Sequence, residues 1–157
     1  MPLTLERTGP TTCEVRRYFA ASPERVFAAH TDPEIVRQWL TGPDGWTMPR
    51  CEIDLRPGGR MRYDWMSGDG AHGFHLTAEV IEVDPPHRIL HVERMFLPDP
   101  TPDNRVETRF VADGAGTMMV MTMRVDSPET MDAMLATGMT EGMEASYARL
   151  EAGILAS

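Results

Sequence analysis

The residues best suited to acid–base chemistry are His91 and Glu93, which lie two positions apart in the segment 88–95. Alternate residues of a strand point to the same face, so this imidazole and carboxylate share a face beside Ile89. In an apolar pocket, burial would shift the pKa of both groups, and the pair could act as general acid and base. The alternative is a solvent-exposed cross-strand pair. In either case, Arg109 of a neighbouring strand is an expected partner of Glu93.

The sequence contains no further recognisable catalytic or metal-binding motif. His72 and His75 are three positions apart, and such residues of a strand point to opposite faces, so we expect no shared metal. Cys51 alternates with apolar residues and indicates a buried, unreactive thiol, whereas we expect Cys13 near the surface with no base beside it. The chain has no lysine, which excludes Schiff-base chemistry, and no phosphate-binding glycine loop. We therefore expect no metal and no cofactor.

The composition is typical of one globular domain. The chain has 157 residues, 41% of them hydrophobic, and no apolar run reaches the roughly 20 residues that cross a bilayer. The net charge of −9 disfavours binding to nucleic acid, which needs a basic face. The N-terminus has no signal-peptide pattern, and two cysteines form no disulfide framework. We expect a single domain over residues 1–157, with its core at 12–155, in the cytoplasm and without membrane insertion.

Three helices are predicted by the same signal: a capping Ser or Asp, then a proline and a glutamate. It occurs at Ser22, Asp32 and Ser127, and the last helix is predicted to run from 128 to about 155. A hydrophobic period of two predicts strands around 12–20, 51–55, 61–65, 74–83, 88–95, 105–111 and 117–125. The order β-α-α-β6-α, with a run of strands closed by a long helix, indicates an α+β antiparallel fold.

A series of landmarks covers nearly the whole chain, and their order and spacing are informative together. They are Arg17-x-Phe19, Ser22-Pro23, Thr31-Asp32-Pro33, Trp39, Gly42-Pro43, Asp54-x-Arg56-x-Gly58-Gly59, Pro85-Pro86-x-Arg88-Ile89, Gly116-Thr117 and Gly138-Met139-x-x-Gly142. In these the chain resembles the AHSA1-like (activator of Hsp90 ATPase homologue 1-like) branch of the START/Bet v 1-like superfamily, also called SRPBCC. Met143 departs from the pattern, since many relatives carry tryptophan there.

The resemblance implies a helix-grip fold, in which a curved antiparallel sheet wraps around the C-terminal helix and leaves a cavity between them. The superfamily uses such cavities for lipids, polyketides and other apolar molecules, and some members are cyclases or hydratases. Gly138 and Gly142 lie within the predicted last helix, where each costs about 1 kcal/mol relative to alanine. Either a close approach to the sheet or space left for a ligand should offset this cost, and we expect the close approach.

Methionines and aromatic residues of the predicted sheet and last helix are candidates for lining the implied cavity. Unbranched, polarizable side chains suit a pocket that accepts varied apolar shapes, although a methionine stripe is also typical of ordinary core. Trp39 is expected to pack its helix against the sheet. The candidates are Trp39, Met61, Tyr63, Trp65, Met119, Met121, Met123, Leu135, Met139, Met143 and Tyr147.

Three functions are compatible with these observations. The first, which we favour, is a non-enzymatic module that binds a small apolar or amphipathic molecule of lipid or polyketide type. The second is a cyclase, hydratase or isomerase that uses His91 and Glu93. The third is a protein-interaction module, either with a chaperone-type partner, as the family name implies, or as a homodimer.

Overall fold

The computed structural model describes residues 2–156, and its centre is one antiparallel sheet of eight strands. Across the sheet the strand order is β1-β2-β8-β7-β6-β5-β4-β3, so β1 and β3 are the two edge strands. The strands are β1 Thr4–Arg7, β2 Thr12–Phe19, β3 Thr47–Ile53, β4 Arg60–Met66, β5 Gly73–Asp84, β6 Arg88–Phe96, β7 Asn104–Asp113 and β8 Gly116–Arg124.

The helices begin where the capping signals predict. Helices α1 (Pro23–Thr31) and α2 (Pro33–Trp39) follow β2, and the Ser22 and Asp32 side chains accept hydrogen bonds from the backbone N–H groups of Arg25 and Glu34. After β8, Ser127 caps α3 in the same way. The C-terminal helical segment consists of α3 (Pro128–Ala136), α4 (Met139–Arg149) and a π-helical turn, Leu150–Ile154. The predicted α+β helix-grip fold is confirmed.

Two elements differ from the prediction. The strand β1 was not predicted, because its four residues, TLER, are too few to show a clear period. The last helix is not continuous from 128 to 155, since it is interrupted at Thr137 and Gly138. Gly138 has φ +71°, in the left-handed region that a residue with a Cβ adopts only at a cost. The interruption separates α3 from α4.

Gly138 and Gly142 are expected to respond in opposite ways to substitution by alanine. The predicted close approach of these glycines to the sheet is wrong, because a Cβ at either position would meet no atom within 4 Å. Gly142 has helical backbone inside α4, so Gly142→Ala should raise the free energy of unfolding by about 1 kcal/mol. Gly138→Ala should lower it by about 1 kcal/mol, since alanine is strained at positive φ. Urea unfolding of both variants checks this, and equal effects would contradict it.

Strand register determines which side chains face the helices. Met119, Met121 and Met123 of β8 lie opposite Phe110, Thr108 and Val106 of β7, and all six are buried or half-buried. We call this face of the sheet the concave face and the other the convex face. A bulge in β5 shifts the register between Val80 and Glu82, so both Val80 and Val83 face inward although they are three positions apart.

Candidate functional site

His91 and Glu93 lie on the concave face. The neighbours of His91 across the sheet are Val80 of β5 and Val106 of β7, both fully buried. The His91 Nε2 atom lies 2.7 Å from Glu93 Oε1, and the two side chains are only 13% and 21% exposed. The structure therefore brings the predicted pair together inside the grip. The expected partner Arg109 is wrong: it is on the convex face, with its Nε 3.5 Å from Glu107 Oε1.

Two buried polar atoms beside this pair have no hydrogen-bond partner among the described residues. They are His91 Nδ1 and Oδ1 of Asn104. Asn104 is the first residue of β7 and lies directly opposite Glu93, so its side chain belongs to the same cluster. A buried polar atom without a partner costs about 1–3 kcal/mol. We call His91, Glu93 and Asn104 the polar cluster.

Asn104 was not predicted to belong to the site. The predicted strand began one residue later, at 105, because the polar run before it has the composition of a loop. The signal that could have found it is register. Once β6 and β7 pair with Val106 opposite His91, Asn104 must lie opposite Glu93.

The pKa values of two tyrosine hydroxyls, those of Tyr63 and Tyr147, are raised by burial and, to a smaller extent, by the charge of Glu93. Burial raises the pKa of the Tyr63 hydroxyl, and the negative charge of Glu93 acts in the same direction. Burial also raises the pKa of Tyr147, an effect that Arg17 opposes and Glu93 strengthens. Both hydroxyls therefore stay protonated at neutral pH. They give the region around the polar cluster neutral groups that can donate as well as accept.

The two cysteines are unreactive. Cys51 is half-buried opposite Tyr63, and burial raises the pKa of its thiol to about 11. Cys13 is not near the surface as predicted but fully buried, because its side chain faces the helices and packs in one apolar cluster with Met123 and Met131. Burial raises the pKa of this thiol as well. Since the thiolate is the nucleophilic form, neither cysteine is suited to covalent catalysis.

Methionines form apolar walls on both sides of the concave space. Met119 and Met123 of β8 are buried, Met121 between them is half-buried, and Met139 and Met143 of α4 are half-buried. Met121 and Met143 contact both of the core clusters that lie under the helices. Leu135 of α3 packs against the second of these, and Met61, Tyr63 and Trp65 form a third cluster on β4. That these residues line a ligand site stays a prediction.

Trp39 and Tyr147 are packed as core residues. Trp39 is 1% exposed, and its indole N–H donates to the carbonyl of Ala29 at 2.9 Å, which fits its expected packing role. Its ring lies 5.6 Å from that of Tyr147, which is also 5.6 Å from Phe19. At the other side, Trp65 donates to the carbonyl of Leu40 at 2.8 Å and so ties β4 to the end of α2.

Two concavities open on the surface, and Glu93 of the polar cluster is among the residues that line the second one. A cleft of about 570 Å³ opens between α2 and the start of β3, and Arg37, Trp46, Met48 and Arg149 are among its lining residues. A groove of about 470 Å³ runs over the sheet on the side of Arg62, Thr77 and Arg94, with charged side chains along it. Neither was predicted from the sequence. Within residues 2–156, no group of three or more His, Cys, Asp and Glu side chains is arranged to hold a metal ion.

The C-terminal helices are tied to the sheet by a buried arginine. Arg17 of β2 is 3% exposed and contacts the carboxylates of Glu144 on α4 and Glu151 in the π-helical turn. Although burial opposes ionisation of Glu144, the hydrogen bonds from Arg17 hold the pKa of that carboxyl below its usual range. No helix in the described part of the chain has the length and apolarity of a membrane span.

Comparison with known proteins places these features in a family. Residues 20–154 match the family model described as activator of Hsp90 ATPase homolog 1-like protein. A crystal structure of a Rhodobacter sphaeroides protein has 31% sequence identity and a TM-score of 0.93, with all of both chains covered. A Mycobacterium smegmatis protein has 25% identity and a TM-score of 0.84, with 96% of each chain covered. No curated protein matches the sequence significantly.

A more distant relative has the family in its name. The AHSA1-like protein of Aeromonas hydrophila has 22% identity and a TM-score of 0.74, with 92% of this chain and 94% of that one covered. At this identity the similarity shows the shared fold alone.

Proposed function

The chain belongs to the AHSA1-like family, and on that premise we propose that it binds a small amphipathic molecule between the concave face and helices α3 and α4. The observation that carries the proposal is the polar cluster. His91 and Glu93 face inward on a largely apolar surface, and two buried polar atoms there have no partner in the described chain. A ligand with one polar group and an apolar body would both bond to the unpartnered polar atoms and pack against the apolar surface around them.

The methionine walls support an apolar body of adaptable shape. Thioether side chains have several rotatable bonds and polarizable sulfur, so they adjust to different ligands at little cost. Met121, Met139 and Met143 are half-buried rather than fully packed, which leaves part of each side chain available for contact. A Cβ at Gly142 on α4 would meet open space, and this agrees with loose packing of that helix. The ligand class is therefore small, apolar over most of its surface and polar at one end.

Native mass spectrometry of the protein purified from its own host tests the proposal. We expect a stoichiometric small-molecule adduct that survives gentle ionisation and can be extracted and identified. The protein washed with organic solvent and refolded should lose the adduct and regain it from a host lipid extract. Failure to regain any small molecule from such an extract would contradict the proposal.

Met143→Trp should weaken ligand binding at least about tenfold while the protein stays folded, because an added indole of this size would occupy space between α4 and the sheet. Many relatives carry tryptophan at this position, so the fold should accept the substitution. The measurement is the occupancy of the adduct during titration. Met118→Trp on the convex face is the matched control and should bind as the native protein does. Equal occupancy in both variants would contradict the proposed position of the ligand.

The inward-facing pair also supports a second candidate, an enzyme that moves a proton on the bound molecule. Glu93 accepts from His91 Nε2 and would orient the ring, and Nδ1 remains open toward the ligand. Cyclisation, hydration and isomerisation each need such a base. Conversion of the extracted molecule by the native protein, and loss of this conversion in His91→Phe, would establish the activity.

The proposal of a chaperone-type partner rests on the family description alone, and copurification with an Hsp90-type ATPase tests it.

A further inference from the structure

The charges and hydrogen-bonding groups of the polar cluster define the polar end of the ligand. We propose that the ligand is uncharged and presents a hydrogen-bond donor, such as a phenolic or alcoholic hydroxyl, to Asn104 Oδ1 or His91 Nδ1, and that carboxylate-bearing ligands are rejected. This inference rests on the proposed function and adds the chemistry of the polar group. A protein with this preference would differ from carriers of fatty acids or other lipid anions, which bind a negatively charged group.

The first step is the balance of charge on the concave face. Among the described strands, the arginines that face the helices are Arg7 and Arg17, and both are already paired. Arg7 Nη1 lies 2.5 Å from the carboxylate of Asp132 on α3, and Arg17 contacts two carboxylates. Glu93 has no arginine partner in the described structure, and its 2.7 Å contact is with His91.

An anionic ligand would therefore come to lie beside a carboxylate with no free cation to balance the two charges. Burying two like charges side by side is strongly unfavourable, because the interior screens them poorly. Burial raises the pKa of Tyr63 and of Tyr147, and the negative charge of Glu93 acts in the same direction on both hydroxyls. The electrostatics of the site favour a neutral ligand.

The second step is the count of donors and acceptors. A carboxylate accepts only, so the bond between Glu93 and His91 uses an N–H at Nε2. The neutral ring then has no hydrogen at Nδ1, which becomes an acceptor, and Asn104 Oδ1 is an acceptor too. Neither atom has a donor in the described chain. A ligand hydroxyl would supply one, whereas an ether or a ketone would leave both acceptors unsatisfied.

The test compares three probes of one shape: 2-naphthol, 2-methoxynaphthalene and 2-naphthoate, titrated into the full-length protein at pH 7.5 by calorimetry. The naphthol should bind about tenfold more tightly than the ether, which cannot donate, in line with the worth of one buried hydrogen bond. The naphthoate should show no binding in the same range. Asn104→Leu should weaken naphthol binding several-fold and leave ether binding nearly unchanged.

Charge variants separate the two steps. Glu93→Gln removes the negative charge and should allow the naphthoate to bind, whereas Glu107→Gln, on the convex face of the next strand, should not. If the ether binds as tightly as the naphthol, or the naphthoate binds as tightly to the native protein, the inference is overturned and the proposed function stands. If none of the three probes binds, and 1-decanol does not bind either, the proposed function itself fails.

Discussion

Replacing Arg17 with methionine is expected to lower the free energy of unfolding by roughly 3 kcal/mol, because it removes the cation that two carboxylates of the C-terminal helices share. Methionine keeps most of the apolar stem, so the loss is chiefly that of the guanidinium. Glu144 and Glu151 would then lie close together without a balancing charge. The contact is also the main polar tie between the N-terminal part of the sheet and α4.

The geometry of Arg17 explains the size of this effect. Its Nε and Nη2 donate to the two oxygens of Glu144 at 3.0 and 2.9 Å, the bidentate arrangement that suits a guanidinium. Its Nη1 donates to Glu151 and, at 2.8 Å, to the carbonyl of Tyr18. The guanidinium also lies 5.1 Å from the centre of the Phe19 ring, within the range of a cation–π contact.

Urea unfolding of Arg17→Met, with Arg16→Met as its matched control, measures this prediction. Arg16 is the next residue in β2 but points to the convex face, where it is 51% exposed and paired with Glu14. Such a surface pair contributes about 0–1 kcal/mol, so the control should change stability little. Arg17→Lys should fall between the two, since lysine keeps the charge but not the fork. Equal losses in Arg17→Met and Arg16→Met would contradict the account.

Lowering the pH from 6.5 to 4 should reduce the free energy of unfolding through His30, by roughly 2–4 kcal/mol. His30 is packed among the rings of Phe19, Trp39, Phe110 and Tyr147. Its Nδ1 lies 2.8 Å from the carbonyl of Val26, and its Nε2 is buried without a partner in the described structure. Burial lowers the pKa of this imidazole to about 4, an effect that the Val26 carbonyl only partly opposes.

Stability falls on acidification because the imidazole of His30 binds a proton at a higher pH in the unfolded chain than in the folded one. The unfolded chain takes up a proton near pH 6.5, whereas folded His30 resists it down to about pH 4. The contribution is therefore complete above pH 6.5, declines between 6.5 and 4, and does not fall further at lower pH. Protonation of the folded state would place a charge among aromatic rings.

Comparing unfolding curves at several pH values isolates this residue from the carboxylates, which also titrate in acid. His30→Phe keeps an aromatic ring of similar size and should flatten the decline between pH 6.5 and 4. His72→Phe, in the exposed turn before β5, should keep the native slope. A native slope in His30→Phe would show that another group carries the pH dependence.

Local signals in the sequence predicted most of the fold. The three helix starts follow from a cap, a proline and an acid within three residues, which act without help from the rest of the chain. The turn at Arg56–Gly59 is equally local in origin, since Gly58 has φ +83°, which glycine adopts readily after a proline in such a turn. The interruption at Gly138 was not predicted, because a helical period passes over a single glycine unchanged. Only the positive φ reveals it.

The site depends on contacts between distant segments, and these were less predictable. The inward direction of His91 and Glu93 depends on register, and the bulge in β5 shows how one residue changes the face of all that follow. Asn104 joins the site only through pairing of β7 with β6. Arg17 was one of the landmarks of the resemblance, but its partners lie more than 120 positions away in sequence. No local pattern connects them.

The most direct test of the central claim is methyl NMR of protein carrying ¹³C-methyl methionine, titrated with 2-naphthol. Binding between the sheet and α4 predicts that the methyl signals of Met121, Met123, Met139 and Met143 shift together and saturate. The signal of Met118, on the convex face, should stay in place, and so should that of Met48, beside the cleft next to α2. Saturating shifts confined to Met48 or Met118, or no shift of any methionine with either 2-naphthol or 1-decanol, would contradict a ligand site inside the grip.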